Sequence, residues 1–395
     1  MEDIVILSAT RTPLGAFQGA FGAVPAPRLG ATVIKGALAA ANVAPADVTD
    51  VVMGNVLQAG QGQAPARQAS RFAGLPDSAR AVTVHKVCGS GLQAIMQSSH
   101  ALAAGMGSMF VAGGMENMSL APYLLPKARE GFRLGNQQVI DSLVSDGLWD
   151  PYNNLHMGNC AEKCATKYEF TREQQDAYAV ASFQRANAAQ KDGRFAQEIT
   201  PVEVTDAKGG VTRVEHDEGP TKVKYDKIPA LRPSFQKDGT ITPANASSIN
   251  DGAAAVVLST AVSAKARGLK PIARIVSFGA HAQDPVWFTT APVPAAQSAL
   301  AAAGWKAADV DLWEVNEAFA VVPMAFMREL NVSPDRVNVR GGAISLGHPI
   351  GCSGARIVVT LLAALKERGL RRGVAAICIG GGEGLAIGIE VMSDK

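Results

Sequence analysis

The sequence predicts an α/β fold built from two duplicated halves that pack face to face, with a separate domain inserted between them. Three observations lead to this prediction. Two distant segments repeat, strand-like runs alternate with alanine-rich helical runs in both, and the stretch between them has no counterpart. With 395 residues and 47% hydrophobic content, the chain is long enough to form several cores.

The repeat is clearest in two alanine-rich segments. "ALAAANVAPADV" (37–48) and "ALAAAGWKAADV" (299–310) agree at eight of twelve positions without a gap. At nearly the same distance along the chain between the two copies, Asn55 corresponds to Asn316, and "GSG" (89–91) corresponds to "CSG" (352–354). Alanine bias alone would not keep this register, so we infer a duplication.

Each copy then continues through an apolar helix into a glycine-rich strand end, "FVAGGMENMS" in the first and "ICIGGGEGLA" in the second. Strand-like runs such as "DIVILSA" and "VDLWEVNE" alternate with the helical runs. This alternation is typical of βαβ units, and it predicts mostly parallel sheets.

The predicted domain boundaries follow from the repeat. The first half comprises 1–118 and is completed by 250–270, and the second half comprises 271–395. The stretch 119–249 is richer in charge and turns and is expected to form an inserted loop domain. It contains an amphipathic helix that opens at Thr171 with Glu173 and Gln174 nearby.

Composition limits the class of partner and the location. The net charge is +2 without runs of like charge, so we expect a small-molecule partner, with no nucleic acid and no membrane surface. No apolar segment reaches the roughly 18 residues of a membrane span, and we expect no signal peptide. The five cysteines lack a disulfide spacing pattern, which predicts free thiols and a cytoplasmic protein.

The stretch "HKVCGSGLQAI" places Cys88 in a glycine-rich turn before a helix. Such a turn points backbone N–H groups and the positive helix end at the thiol, and we therefore expect Cys88 to ionise easily. An isolated cysteine in this position is more often a small buried hydrophobic residue. The other half of the repeat favours a nucleophile over a buried hydrophobic residue, because it has His348 at the equivalent turn and Cys378 at the end of an apolar strand.

If an approximate twofold axis relates the halves, the turns meet and bring Cys88, His348 and Cys378 together. A thiolate nucleophile suits acyl transfer through a thioester. A second thiol suits removal of a proton from the carbon of a second substrate. The resulting enolate needs oxyanion donors, for which Asn316 and the backbone N–H groups of Cys88 and Gly380 are candidates. The predicted class is carbon–carbon bond formation or cleavage through an acyl-enzyme.

Two other interpretations are weaker. His156, Cys160 and Cys164 are four residues apart and would share a helix face, but a fourth ligand is not evident and small thiols at this spacing usually pack in a core. The glycine runs lack the G-x-G-x-x-G turn of a dinucleotide site. We therefore expect no metal and no cofactor.

These motifs resemble those of the thiolase family over essentially the whole chain, and most closely those of members that act on acetyl-CoA and acetoacetyl-CoA. "VCGSGLQAI" resembles the nucleophile motif, "NEAF" the asparagine motif, "GGAISLGHPIGCSGAR" the histidine motif and "CIGGGEG" the second-cysteine motif. The resemblance implies a fold of two βαβαβαββ halves with a loop domain after the first. It also implies dimers or dimers of dimers, linked near "APYLLPKAREGF".

By resemblance, Cys88 carries the acetyl group and His348 activates it. His348 also shares an oxyanion hole with a water held by Asn316. Cys378 exchanges the α-carbon proton, and the N–H groups of Cys88 and Gly380 form the other oxyanion hole. The channel for coenzyme A would be lined by Leu148, His156, Met157, Ala246, Ser247, Ala318 and Phe319, with Leu231 and Phe235 nearer its adenine end.

The implied activity is reversible condensation of two acetyl-CoA into acetoacetyl-CoA and CoA by a ping-pong mechanism. Coenzyme A thioesters would be substrates, with no separate cofactor. Two alternatives remain open: a thiolase for longer 3-ketoacyl-CoA chains, and a non-catalytic thiolase-like subunit or lipid carrier.

Some positions depart from the family pattern. His85 and Arg340 stand where asparagine is usual, and we expect them to compensate each other. Phe288, which the resemblance adds to the substrate-binding residues at the acyl pocket, stands where many acetoacetyl-CoA enzymes have methionine, which suggests tolerance of 2-methylacetoacetyl-CoA. Pro220 falls where relatives often have an arginine for the adenosine end, a role that Lys222, Lys224 and Lys227 are candidates to fill.

Overall fold

The computed structural model describes residues 2–392. Its first part alternates strands and helices. The elements are β1 (Ile4–Arg11), β2 (Gly15–Ala16), α1 (Ala26–Ala41), β3 (Asp50–Gly54), α2 (Pro65–Phe72), β4 (Arg80–Val84), α3 (Ser90–Ala103) and β5 (Met109–Asn117).

The inserted stretch contains short strands and two long helices. Its elements are β6 (Tyr123–Leu124), β7 (Ile140–Asp141), a π-helical turn (Leu143–Leu148), β8 (Trp149–Asp150), β9 (Leu155–His156), α4 (Met157–Tyr168), α5 (Arg172–Lys191), β10 (Val202–Thr205) and β11 (Val211–Val214). Helix α5 begins with a capping box, in which Thr171 and Gln174 satisfy each other's backbone N–H groups.

The remaining elements return to the alternating pattern. They are β12 (Asn250–Thr260), α6 (Ala261–Ala266), β13 (Ala273–Ala282), α7 (Pro292–Ala303), β14 (Leu312–Val315), α8 (Val321–Leu330), α9 (Ala343–Leu346), α10 (Ile350–Glu367), β15 (Arg372–Ile379) and β16 (Glu383–Val391). Strand β12 pairs with β1 and β5, so it lies within the sheet of the first half.

The duplication is visible in the sheet. The strand order is β14-β15-β16-β13-β1-β12-β5-β3-β4, and the two half-sheets join where β1 meets β13. On either side of that junction come two antiparallel pairings and then a parallel one. The outer strand β4 has its counterpart in a parallel bridge between Trp313 and Val337. The predicted fold of two duplicated α/β halves is confirmed.

The expectation of mostly parallel sheets is wrong. Within the described residues only three pairings of the large sheet are parallel, β3 with β4, β3 with β5, and β14 with β15. The strands that complete each half, β12 and β16, run antiparallel to their neighbours. A tight turn at Gly380–Gly382 joins β15 to β16, and such a turn connects only antiparallel strands.

Helices α3 and α10 pack against each other at the centre of the molecule, and α10 contacts strands of both half-sheets. Their backbones approach closely because glycines lie at the crossing. A Cβ atom on Gly91 would lie 2.7 Å from the nitrogen of Ala355, and one on Gly354 would lie 2.4 Å from the nitrogen of Leu92. The glycines of both motifs therefore serve helix contact. In the part of the chain described, no helix has the length and apolar content needed to cross a membrane.

A buried ion network joins the two halves and the inserted stretch. Arg11 on β1 contacts Glu198 at 2.6 Å and Asp217 at 2.7 Å. Glu198 also accepts a hydrogen bond from Arg340 at 3.1 Å, and Arg340 pairs with Glu367 at the end of α10. Glu198 is therefore held by cations from both halves, with its side chain 1% exposed.

Candidate active site

Cys88 lies in a strained turn between β4 and α3. The preceding residue, Val87, has φ of 43°, a left-handed conformation that is rare for a β-branched side chain. Ser90 holds the turn, because its hydroxyl donates to the Val87 carbonyl at 2.7 Å and accepts from the N–H of Lys86 at 2.8 Å. The structure thus places Cys88 directly before the helix, as the sequence predicts.

The expectation that Cys88 ionises easily is wrong for the substrate-free protein. Burial raises the pKa of this thiol to about 11, because a thiolate loses hydration in the interior. The nearby backbone N–H groups of Gly380 and of Cys88 itself lower the pKa of the thiol, whereas the charge of Glu116 raises it further. Desolvation therefore changes the pKa of Cys88 more than the nearby start of helix α3 does.

His348 lies immediately before α10 and is buried at the equivalent turn. Its Nδ1 lies 2.6 Å from the Ser353 hydroxyl, and that hydroxyl donates to the Pro349 carbonyl at 3.0 Å. Since the hydroxyl proton is already used, Nδ1 carries the imidazole proton and donates it to Ser353. The lone pair is left on Nε2, where Asn316 Nδ2 lies 3.4 Å away.

Burial, assisted by the charge of Arg356, lowers the pKa of His348 to about 3. The imidazole is therefore neutral at physiological pH, and the lone pair of Nε2 is its site for accepting a proton. The resting pair is consequently a neutral thiol and a neutral base.

We expect iodoacetamide to alkylate Cys88 at a rate that keeps rising with pH up to about 11, because the thiolate is the reacting form. The experiment follows carboxamidomethylation of the Cys88 peptide by mass spectrometry in substrate-free protein. The buried Cys352 peptide, whose pKa is raised to about 12, serves as an internal control. A rate that reaches its plateau near neutral pH would instead indicate a thiolate–imidazolium pair.

Cys378 is fully buried on β15, where it pairs in register with Gly384. Burial and then the neighbouring Cys88 raise the pKa of its thiol well above the usual range. The two thiols are therefore close to each other. Asn316 follows β14 and is also buried, and its Oδ1 has no hydrogen-bond partner among residues 2–392. The structure thus gathers the four predicted side chains.

Cys88 and His348 lie on the wall of an apolar cavity of about 260 Å³. Nine of the ten residues predicted for the substrate channel line it: Leu148, His156, Met157, Phe235, Ala246, Ser247, Phe288, Ala318 and Phe319. Phe235 stacks on His156, with ring centroids 4.8 Å apart, and lines the inner cavity. His156 is thus occupied with Phe235 and with the N–H of Gly158, which donates to its Nδ1.

Leu231 lines a second, outer cavity of about 670 Å³. The two cavities share Ser247, Ser248 and Ile249, so the outer cavity adjoins the inner one that contains Cys88. The three exposed lysines Lys222, Lys224 and Lys227 line the outer cavity, and Lys222 pairs with Glu218 at 3.2 Å.

Sequence reasoning missed several residues of the site. Met118, Gly147, Ser248, Ile249 and Ile350 also line the inner cavity. Ser353, which orients His348, was missed too, although a signal was present. In the register of the repeat Ser353 corresponds to Ser90, and each serine holds the turn of its own half.

The expected compensation between His85 and Arg340 is not supported. His85 is exposed, and its Nδ1 lies 3.4 Å from the N–H of Val87. Arg340 is buried in the ion network with Glu198 and Glu367. The two residues share no hydrogen-bond partner in the described part of the chain. In the repeat register His85 corresponds to His348.

A strained turn with a thiol, a neutral histidine and a second thiol lie together at the junction of two duplicated halves, an arrangement suited to acyl transfer. Family models for the N-terminal and C-terminal thiolase domains match residues 4–262 and 269–391. The chain therefore belongs to the thiolase family.

Individual relatives agree with this assignment. An acetyl-CoA acetyltransferase of Cupriavidus necator is 50% identical over 391 residues, covering 99% of this chain and 100% of the relative. The crystal structure of the Bacillus anthracis acetyl-CoA acetyltransferase has a TM-score of 0.97 at 39% identity, with 99% of both chains covered. A thiolase from Ascaris suum, solved in complex with coenzyme A, has a TM-score of 0.93 at 44% identity, with 99% of this chain and 100% of that chain covered.

Proposed function

We propose that this thiolase is an acetyl-CoA C-acetyltransferase, which condenses two acetyl-CoA into acetoacetyl-CoA and CoA and catalyses the reverse thiolysis. The observation that carries the proposal is the inner end of the channel. There the N–H groups of Cys88 and Gly380 are close enough to the Cys88 sulfur to lower its pKa, His348 lies on the same cavity wall, and Cys378 is near Cys88. Relatives at about 50% identity bear the corresponding name.

In the proposed first half-reaction, Cys88 attacks the acetyl thioester while His348 Nε2 takes its proton. The N–H groups of Cys88 and Gly380 stabilise the tetrahedral oxyanion, and each such donor is worth about 10²–10³ in rate. The departing CoA sulfur takes a proton from Cys378. The products are acetyl-Cys88, CoA and an imidazolium–thiolate pair of His348 and Cys378, which attract each other in the buried site.

In the second half-reaction, the Cys378 thiolate removes a proton from the methyl carbon of the next acetyl-CoA. The enolate oxygen is stabilised by protonated His348 and by a water held by Asn316. The enolate carbon attacks acetyl-Cys88, and the Cys88 sulfur leaves with the proton of His348. Every group then returns to its starting state, so the scheme is ping-pong and needs no further reactant or cofactor.

The size of the inner cavity favours short acyl groups over the longer chains of the alternative thiolase. Phe288 is 2% exposed and contacts Phe319, with ring centroids 6.4 Å apart. These two rings wall the same cavity as Cys88 and leave about 260 Å³. A non-catalytic carrier would have no use for two adjacent thiols and an oriented base.

The test is CoA-dependent loss of acetoacetyl-CoA compared with 3-ketooctanoyl-CoA and 2-methylacetoacetyl-CoA. We expect acetoacetyl-CoA to be preferred and the 2-methyl substrate to be cleaved, with Phe288→Met as the matched variant for branch tolerance. Preference for 3-ketooctanoyl-CoA would select the longer-chain thiolase, and no turnover of any substrate would select the carrier. Undetectable cleavage of 2-methylacetoacetyl-CoA would contradict only the proposed tolerance of branched substrates.

We further propose a homo-oligomer, most simply a dimer of dimers, in the cytoplasm. Its support is an apolar surface in the stretch 119–140, where Leu134 is 97% exposed and Tyr123 is 66% exposed. Surfaces of this kind mark protein contacts. The five cysteines are unpaired, which suits a reducing compartment. Sedimentation velocity measures the assembly, and a monomer at micromolar concentration would contradict it.

A further inference from the structure

Glu116 is a fully buried carboxylate that the proposed reaction does not use. It lies near the end of β5 and accepts hydrogen bonds from four donors. Its Oε1 receives the amide of Asn55 at 2.7 Å and the N–H of Leu57 at 3.2 Å, and its Oε2 receives the N–H groups of Val56 and Gly351, both at 2.9 Å.

These donors come from both halves of the molecule. Asn55, Val56 and Leu57 form the loop that follows β3 in the first half, whereas Gly351 belongs to the first turn of α10 in the second half. Burial raises the pKa of Glu116 to about 7, whereas the N–H groups of Val56, Leu57 and Gly351 and the positive end of the α10 dipole favour its negative form. Glu116 thus ties the start of α10 to the first half.

The start of α10 fits closely against the first half at this contact. A Cβ atom on Gly351 would lie 2.6 Å from Glu116 Oε2 and 2.9 Å from the Cα of Asn55, and one on Gly114 would lie 2.0 Å from the Gly351 carbonyl oxygen. The backbone of Gly351 therefore has no room to shift toward the first half. The catalytic His348 is only three residues before it.

The turn of Cys88 is held from the second half by a different contact. Glu383, which opens β16, pairs with Lys86, two residues before the nucleophile Cys88. That pair is partly exposed, whereas Glu116 is buried with all its partners in the interior. In the register that aligns Ser90 with Ser353, Glu116 corresponds to the apolar Ile379, so the second half has no carboxylate at this position.

We propose that Glu116 is a positioning residue for the thiolase reaction, which fixes the turn carrying His348 relative to the turn carrying Cys88. It touches neither substrate nor reacting atoms and acts through the backbone of Gly351. This inference rests on the proposed function, because it assigns Glu116 a part in the same proton transfer.

The test is Glu116→Gln, which keeps the shape of the side chain but turns one acceptor into a donor facing backbone N–H groups. We expect kcat for acetoacetyl-CoA thiolysis to fall about 10- to 100-fold, because small misplacements of reacting groups cost that much. KM should change by less than about twofold, since most of the cavity wall comes from the inserted stretch and from residues 246–249, 288 and 318–319. Glu116→Asp, which keeps the charge but shortens the reach, is the second variant if Glu116→Gln does not fold.

Glu162→Gln is the matched control. Glu162 is likewise buried and accepts the N–H groups of Thr240 and Ile241, but it ties α4 to a loop of the inserted stretch. The two variants are compared at an equal fall in melting temperature. If kcat then falls no further in Glu116→Gln than in Glu162→Gln, Glu116 only stabilises the fold.

A double-mutant cycle identifies the route of the effect. In a His348→Ala background, measured by single-turnover acetylation of Cys88, Glu116→Gln should cause no further loss. A full further loss would overturn the proposal, because Glu116 would then act independently of His348. Absence of turnover in the wild-type protein would refute the proposed function instead, so the two failures are distinguishable.

Discussion

Replacing Cys88 by alanine is expected to abolish thiolysis of acetoacetyl-CoA, with kcat lower by about 10⁴-fold or more, as for nucleophiles that act as a unit with their base. The physical reason is that no other group can hold the acetyl group between the two half-reactions. The measurement is the loss of acetoacetyl-CoA with CoA in excess, together with the mass of the protein after exposure to acetyl-CoA.

The structure offers a matched control at the other helix start. Cys352 is fully buried within α10, beside the turn that corresponds to that of Cys88. Cys352→Ala should keep kcat within a few-fold of the wild type. Activity that survived in Cys88→Ala would refute the acyl-cysteine mechanism.

A companion variant, Cys378→Ala, separates the two half-reactions. It leaves Cys88 and His348 in place but removes the thiol that protonates the departing CoA, so the protein should still become acetylated by acetyl-CoA, at a lower rate. It should then fail to form acetoacetyl-CoA, and mass spectrometry should find the acetyl group remaining on the Cys88 peptide. Normal condensation by this variant would show that the reaction does not require Cys378.

Replacing Glu198 by leucine is expected to destabilise the protein by about 3–5 kcal/mol, the usual cost of removing one partner from a buried ion pair. The change leaves Arg11 and Arg340 in the interior with one carboxylate fewer between them. Urea unfolding followed by tryptophan fluorescence measures the loss.

The control is an exposed ion pair of the same kind. Arg267 contacts Asp47 at 2.6 Å with both side chains substantially exposed, and such pairs contribute about 0–1 kcal/mol. Asp47→Leu should therefore shift the unfolding midpoint little. Equal shifts for Asp47→Leu and Glu198→Leu would mean that the buried network does not hold the three parts of the chain together.

Much of the fold could be predicted because the duplication leaves a register in the sequence. The alanine-rich helices and the two helix-start turns repeat at nearly constant spacing, and that spacing brings Cys88 near His348. The direction of β12 and β16 could not be predicted this way. Strand-like runs are apolar whether their neighbours are parallel or antiparallel, and pairing depends on contacts distant in sequence.

The protonation state of Cys88 could not be predicted from the sequence either. A glycine-rich turn before a helix suggests a thiolate, but the pKa of Cys88 depends mainly on burial by residues from the other half, which no local pattern reports. In the same way "GGMEN" suggested only a strand end. The four donors of Glu116 come from separate segments, so its role is visible only in three dimensions.

The contact of Gly91 with Ala355, and of Gly354 with Leu92, has a consequence for how this chain can change over generations. A duplication normally frees one copy to diverge while the other keeps its role. Here a side chain added at either glycine would push the two copies apart, and with them Cys88 and His348. Mutational drift at these positions is therefore blocked in both copies together, and the two halves must diversify in their outer strands and in the inserted stretch.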